Sequence, residues 1–132
     1  MYLIINTTDD KGIEIFLVKD KVNFWHKKII GERKQSEKLL VGIEKIITTQ
    51  KIKFSQLKGI GVVSGPGGFT SVRIGVVVAN TLGYAWKVPV AGIRKDEFEN
   101  NDDLISKLLI KIKKVKKGSI VLPFYDREPN IT

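Results

Sequence analysis

Three short segments at the start of the chain concentrate β-branched and aromatic residues: YLII (2–5), IEIFLV (13–18) and VNFWHKKII (22–30), separated by the polar stretches DDKG and KDK. Runs of this composition read as strands and such separators as tight turns, so the first 30 residues predict a three-stranded antiparallel meander. The period then changes. From Glu32 to Gln50 the apolar positions Leu39, Leu40, Ile43, Ile46 and Ile47 fall on one helical stripe. KGIGVV (58–63) predicts a fourth strand, residues 69–86 a second helix and VPVAGI (88–93) a fifth strand. After the polar connection RKDEFENNDD, residues 103–115 predict a lysine-rich helix whose stripe is Leu104, Ile105, Leu108, Leu109, Ile112 and Val115. The final SIVLPFYDREPNIT predicts a strand running into an extended tail, because Pro123 and Pro129 forbid helix there.

The second helix has an unusual composition. Val72, Ile74, Val76, Val77, Val78, Ala79, Leu82, Ala85 and Trp86 cover most of its circumference rather than one stripe. A helix apolar nearly all round has to be covered on more than one side. One sheet covers one side, so its other faces are expected to meet the first helix and a second protein.

Meander, helix, strand, helix, strand is the order of a three-layer α/β domain of the ribonuclease-H-like kind, in which antiparallel strands extend a partly parallel sheet. The expected fold is a mixed five-stranded sheet with helices on its faces; a generic α/β sandwich is the alternative. With 132 residues the chain suits one domain, placed at 1–122, with 123–132 as an extended tail.

Charge and composition narrow the chemistry. The chain has no cysteine, which removes disulfides, thiolate metal sites and thiol nucleophiles together. The opening MYLIINTTDD lacks a basic segment before its apolar residues, so no signal peptide is expected, and IGVVVANTLGYAW (74–86) is too short to span a bilayer. A cytoplasmic location is the expectation. The net charge of +9, with Lys113, Lys114, Lys116 and Lys117 crowded near the carboxyl end, favours acidic partners, nucleic acid among them, through phosphate neutralisation; the plainer reading is a solvated lysine face.

One loop invites a chemical reading. In VVSGPGGFTSVRIG (62–75), Gly65, Gly67 and Gly68 stand between a strand and a helix amino terminus, where backbone N–H groups and Arg73 could hold an anion or nucleotide. The loop matches neither a Walker motif nor G-x-G-x-x-G. Alternatively it is a tight turn whose glycines allow close packing and whose Arg73 pairs with an acid. Ser64 lacks the glycine two positions earlier that a nucleophile elbow needs, and His26, the only histidine, reads as a surface residue. Members of this fold that bind a metal or hydrolyse ATP need a carboxylate at the end of the first strand; here Asn6 stands there. Asp9 and Asp10 read as turn formers. No catalytic constellation and no metal site are expected.

These segments resemble a known family. IINTT (4–8) is similar to its "IDTS" opening, QSEKLLVGIEKII (35–47) to its "HSE-x-LLP" helix, and SGPGGFTSVRIGVVVANTLGYAWKVPVAGI (64–93) to its most diagnostic segment, "GPGSFTGLRIG" followed by "GLA" and "P…GV". The family is TsaB, also called YeaZ. The resemblance implies half of an actin/Hsp70-like ATPase fold and a subunit without catalysis of its own. Such a subunit supports TsaD, with TsaE, in forming N6-threonylcarbamoyladenosine at position 37 of tRNA. It implies no cofactor bound by this chain alone, ATP being used by the complex, and a homodimer when the chain is isolated. The implied interface uses Leu39, Leu40, Ile43 and Ile47 of the first helix with Phe69, Arg73, Val76, Asn80 and Tyr84 of the second. The departures are Asn6 for the family's Asp, Gln35 for its His, Gly68 for its loop Ser and Ser71 for a Gly. The family's usual second α/β domain is not expected in this chain, and YDREPNIT (125–132) resembles the family's carboxyl end. Besides the scaffold reading, a small nucleotide-binding protein using the glycine loop and a nonspecific basic nucleic-acid-binding module remain open.

Overall fold

The computed structural model describes residues 1–9, 11–31 and 35–125. Asp10, Glu32 and the tail residues 126–132, on which parts of the sequence reading fall, lie outside them. Strands β1 (Tyr2–Asn6), β2 (Gly12–Val18) and β3 (Phe24–Ile30) form the expected meander. They are followed by α1 (Gln35–Thr49), β4 (Gly59–Gly65), α2 (Phe69–Trp86), β5 (Val90–Arg94) and α3 (Asn101–Lys114). The sheet order is β3-β2-β1-β4-β5. β1 pairs antiparallel with β2, Tyr2 opposite Val18, and parallel with β4, Tyr2 opposite Gly59; β4 pairs parallel with β5.

Strand alternation sorts the core into two layers. Leu3, Ile5, Ile13, Ile15, Leu17 and Val62 face α1 and α2. Ile4, Phe16, Val18, Val63, Ala91 and Ile93 face α3, which brings Leu104, Ile105, Leu108, Leu109 and Ile112 against them. Each α3 residue of the expected stripe except Val115 is buried, and Val115 is its C-cap. The helix starts earlier than its apolar stripe because the Asn100 side chain accepts a hydrogen bond from the Asp103 N–H at 2.8 Å. In the first hairpin Asp9 is a turn former as expected, its carboxylate accepting from the Lys11 N–H at 2.9 Å.

The segment after α3 differs from the expected strand. Residues 119–125 carry no strand pairing and run extended past α2 and the end of β4. The reason is local: Pro123 has no N–H, and the Asn80 side chain of α2 takes both backbone groups of Val121, donating from Nδ2 to its carbonyl at 2.9 Å and accepting from its N–H at 3.0 Å. One backbone bond fixes the far end, from the Phe124 N–H to the Ser64 carbonyl at 2.7 Å.

Candidate functional site

β1, β4 and the start of α2 converge at the carboxyl ends of the parallel strands, where the sheet changes direction of growth. At the end of β1 the side-chain Oδ1 of the buried Asn6 accepts from the Thr8 N–H at 3.0 Å and from the Thr8 hydroxyl at 2.7 Å. The amide thus makes a local turn at the place where an acid would be needed for metal chemistry. Thr7 donates to the Ser71 carbonyl in the first turn of α2 at 2.6 Å, and the Ser71 hydroxyl donates to Gln35 of α1 at 2.9 Å. One polar chain therefore ties β1, α2 and α1 together. Of the four residues that depart from the family pattern, Gln35 and Ser71 belong to it, Asn6 bonds to Thr8 within its own turn, and Gly68 lies in the loop.

The glycine loop is built for close approach. Gly65 sits at φ +126°, a region few side chains tolerate, and a Cβ there would run into the Phe124 carbonyl. A Cβ on Gly67 would stand 3.1 Å from both the Cα and the carbonyl oxygen of Thr8. A Cβ on Gly68, the N-cap of α2, would make only an ordinary contact, 3.7 Å from the Ser71 hydroxyl oxygen. Arg73 donates from Nε to the Tyr125 hydroxyl at 3.3 Å, and Tyr125 packs edge-on against Phe69. The acid expected for Arg73 is replaced, among the described residues, by this phenol.

The solvent side of the α1/α2 layer is the second notable surface. Of the interface residues expected from the sequence, Leu39, Ile43, Ile47 and Val76 are buried in the chain's own core and offer no surface to a partner, which corrects their assignment. They are the residues with which the two helices cover the sheet. Asn80 is half-buried and occupied with Val121. Leu40, Phe69, Arg73 and Tyr84 are exposed, Tyr84 to 87%. Sequence reasoning missed Val77 (59% exposed) and Val41. Val77 could have been found from spacing, since Arg73, Val77, Thr81 and Tyr84 follow one another at helical intervals and form a single exposed line.

The lysines near the carboxyl end do not act alike. Lys107 is bound to Asp103 at 3.1 Å and to the Glu97 carbonyl, and Lys111 reaches the Glu97 carboxylate at 3.3 Å. The Asp103 carboxyl is held below its ordinary value, chiefly by the Lys107 hydrogen bond and then by the Glu99 N–H. Glu97 is lowered first by the Arg94 N–H and, against the effect of burial, by Lys111. Lys113, Lys114, Lys116 and Lys117 are exposed. His26 pairs with Glu14 at 2.8 Å and stacks on Phe16, and Asn101 of α3 also donates to Glu14. Among the described residues no group of three or more acidic or imidazole side chains is arranged to hold a metal, and no helix is long and apolar enough to cross a membrane.

A mixed five-stranded sheet with two helices on one face and one on the other defines the class: an α/β protein of the ribonuclease-H-like, actin/Hsp70-like kind. The comparisons give the family. Residues 29–97, just over half of the chain, match the family model TsaD: tRNA N6-adenosine threonylcarbamoyltransferase. The chain belongs to this family, and both TsaB proteins and threonylcarbamoyltransferases are among the relatives it is similar to. It is 31% identical over 62 residues to the tRNA threonylcarbamoyladenosine biosynthesis protein TsaB of Buchnera aphidicola subsp. Acyrthosiphon pisum, covering 47% of this chain and 28% of that one. It is 28% identical over 68 residues to the tRNA N6-adenosine threonylcarbamoyltransferase of Geobacter metallireducens, covering 52% of this chain and 20% of that one. In structure it resembles YeaZ from Pseudomonas aeruginosa, with a TM-score of 0.65, 22% identity, and coverage of 70% of this chain and 43% of that chain. The matched region spans less than a third of the length of these two curated relatives, at 28% and 20%.

Proposed function

We propose that this chain is a non-catalytic scaffold subunit that supports TsaD in forming N6-threonylcarbamoyladenosine at position 37 of tRNA. The observation that carries the reading is the exposed apolar line on α2, Val77 and Tyr84 with Phe69 and Arg73, beside Leu40 and Val41 of α1. Large apolar side chains grouped on the outer side of a helical layer are the anatomy of a protein interface. TsaD is the partner proposed for this face, TsaE joins the assembly, and the ATP requirement belongs to the complex. When the chain is alone, a second copy covers the same face and gives a homodimer. The scaffold role is supported by how the polar groups at the end of β1 are used: Asn6 bonds to Thr8 within the turn, and Thr7, Ser71 and Gln35 link that turn to α2 and α1.

Co-purification and sizing with the TsaD encoded by the same genome tests this. A one-to-one complex is expected, lost in Val77→Glu, whose side chain is exposed, while the melting temperature of the isolated variant stays close to wild type. Val76→Glu is not a usable control, because Val76 is only 2% exposed and a buried unpaired charge unfolds the domain. Absence of a complex, with ATP raising the melting temperature of the chain alone, would sink the scaffold reading and favour the glycine loop as a nucleotide site.

A further inference from the structure

At the end of the sheet where β1 and β4 begin, an open cleft of about 970 Å³ lies between α3, the turn joining β2 to β3, the start of β1 and the residues leading into β4. Its cations come from distant parts of the sequence: Lys19 and Lys21 from the turn, Lys58 from the approach to β4, and Lys113 from α3. The only acid lining it is Asp20, so four lysines face one carboxylate. That carboxylate is already engaged, accepting from the Asn23 side chain and from the Val22 and Asn23 N–H groups, which hold its carboxyl below the usual value. None of the four lysines forms an ion pair among the described residues, in contrast to Lys107 and Lys111 on the same helix. Two aromatic residues, Trp25 and Tyr2, line the cleft, and Trp25 is 37% exposed and has no aromatic partner among the described residues.

A row of unpaired cations beside an accessible indole matches what a single nucleic-acid strand needs: phosphate neutralisation along the backbone and a flat surface for an unstacked base. A duplex hides its base faces and would gain nothing from Trp25. We infer that this cleft binds a single-stranded RNA segment, with a base on Trp25 and phosphates on Lys19, Lys21, Lys58 and Lys113. The site differs from the simple lysine run seen in the sequence, because only Lys113 of Lys113, Lys114, Lys116 and Lys117 lines it. All of its lining residues belong to this chain, so its test needs no partner.

The test is fluorescence anisotropy of the full chain with a labelled oligouridylate about a dozen nucleotides long, within the span one such site covers. Log affinity should fall with log salt at a slope of about −3, as about 0.7 per neutralised phosphate predicts for four lysines. Trp25→Ala should weaken binding by about tenfold, within the range for losing one stacked base, and Trp25→Phe should retain most of it. Lys21→Glu/Lys113→Glu should remove most of the salt dependence, while Lys38→Glu/Lys45→Glu on α1, with the same charge change, should leave affinity close to wild type. Circular dichroism and melting temperature establish that each variant is folded. If Trp25→Ala fails to fold, Trp25→Phe and the two lysine pairs decide alone. The inference is overturned if the α1 pair weakens binding as much as the cleft pair. It is equally overturned if a duplex RNA or a polyglutamate peptide binds as tightly as the single strand.

Discussion

Asn80 stands in the middle of an apolar helix, and the resemblance assigned it to a partner surface; the structure gives it an internal task that can be measured. Its amide makes two hydrogen bonds with Val121, at 2.9 and 3.0 Å, across 41 residues of sequence. In Asn80→Ala both are lost and the Val121 N–H and carbonyl must find water instead. At about 1 kcal/mol net for each bond the loss is about 2 kcal/mol. The tail is held otherwise by the Phe124 N–H bond to Ser64, by Arg94 lying 5.0 Å over the Phe124 ring, and by Tyr125. The tail should therefore open locally before the sheet does. Native-state hydrogen exchange reads this directly: the Val121 amide should exchange about 30-fold faster in the variant, that being about 2 kcal/mol expressed as an equilibrium constant. Amides of β1 and β4 should change little. Asn80→Asp should be worse than Ala, since it sets a carboxylate against the Val121 carbonyl. If Val121 exchanges at the wild-type rate in Asn80→Ala, the clamp contributes nothing, and Asn80 returns to the list of partner contacts.

Two further outcomes follow from the same contacts. Gly75→Ala gains about 1 kcal/mol of helix propensity but places a Cβ 2.5 Å from the Thr7 hydroxyl oxygen, an overpacking that costs about 1–3 kcal/mol, so chemical denaturation should show net destabilisation. Adding Thr7→Ala removes the obstructing atoms, and the double variant should be more stable than the sum of the two single changes; strict additivity would mean that Thr7 does not press on α2. Glu97 has a folded pKa below its unfolded one, through the Arg94 N–H first and then Lys111, and such a group adds stability that is complete above the unfolded value and lost as pH falls through the folded one. Wild type and Glu97→Gln should therefore differ in stability at neutral pH and converge on acidification; a constant gap would exclude this ionic contribution.

Much of the architecture was legible because strands with period 2 and helices with period 3.6 leave different marks, and the switch between them near residue 32 is abrupt. Among the described residues all five strands and three α-helices were located from composition and period together, while the strand expected after α3 was not found. What periodicity could not give is which side of an apolar helix faces inward. Leu40 sits beside Leu39 and looks equally suited to the core, yet α1 presses Leu39, Gly42, Ile43, Ile46 and Ile47 inward and leaves Leu40 49% exposed. Gly42 explains the choice: the Ile29 and Ile15 side chains fill the space a Cβ would take, so a residue that reads as blank in a hydrophobic pattern is a point of closest contact. Similarly, Val76 and Val77 are indistinguishable by type and lie on opposite sides of the boundary between core and surface. The Asn80 clamp was invisible because it joins a helix to a segment 41 residues away, and the basic cleft because its lysines come from three separate regions.

β1 lies at the centre of the sheet, and its two edges are completed by very different routes. Its antiparallel edge pairs with β2 through one short turn, so that register can form from neighbours in sequence within about 1–10 μs. Its parallel edge must wait for β4, which lies beyond α1, and closing that long crossover is slower and entropically costly. A meander formed before β4 docks would leave the backbone of Leu3, Ile4 and Ile5 unpaired along one side, a surface able to template pairing with another chain. Refolding yield should consequently fall with protein concentration more than final stability would suggest, and the hazard ends when β4 docks.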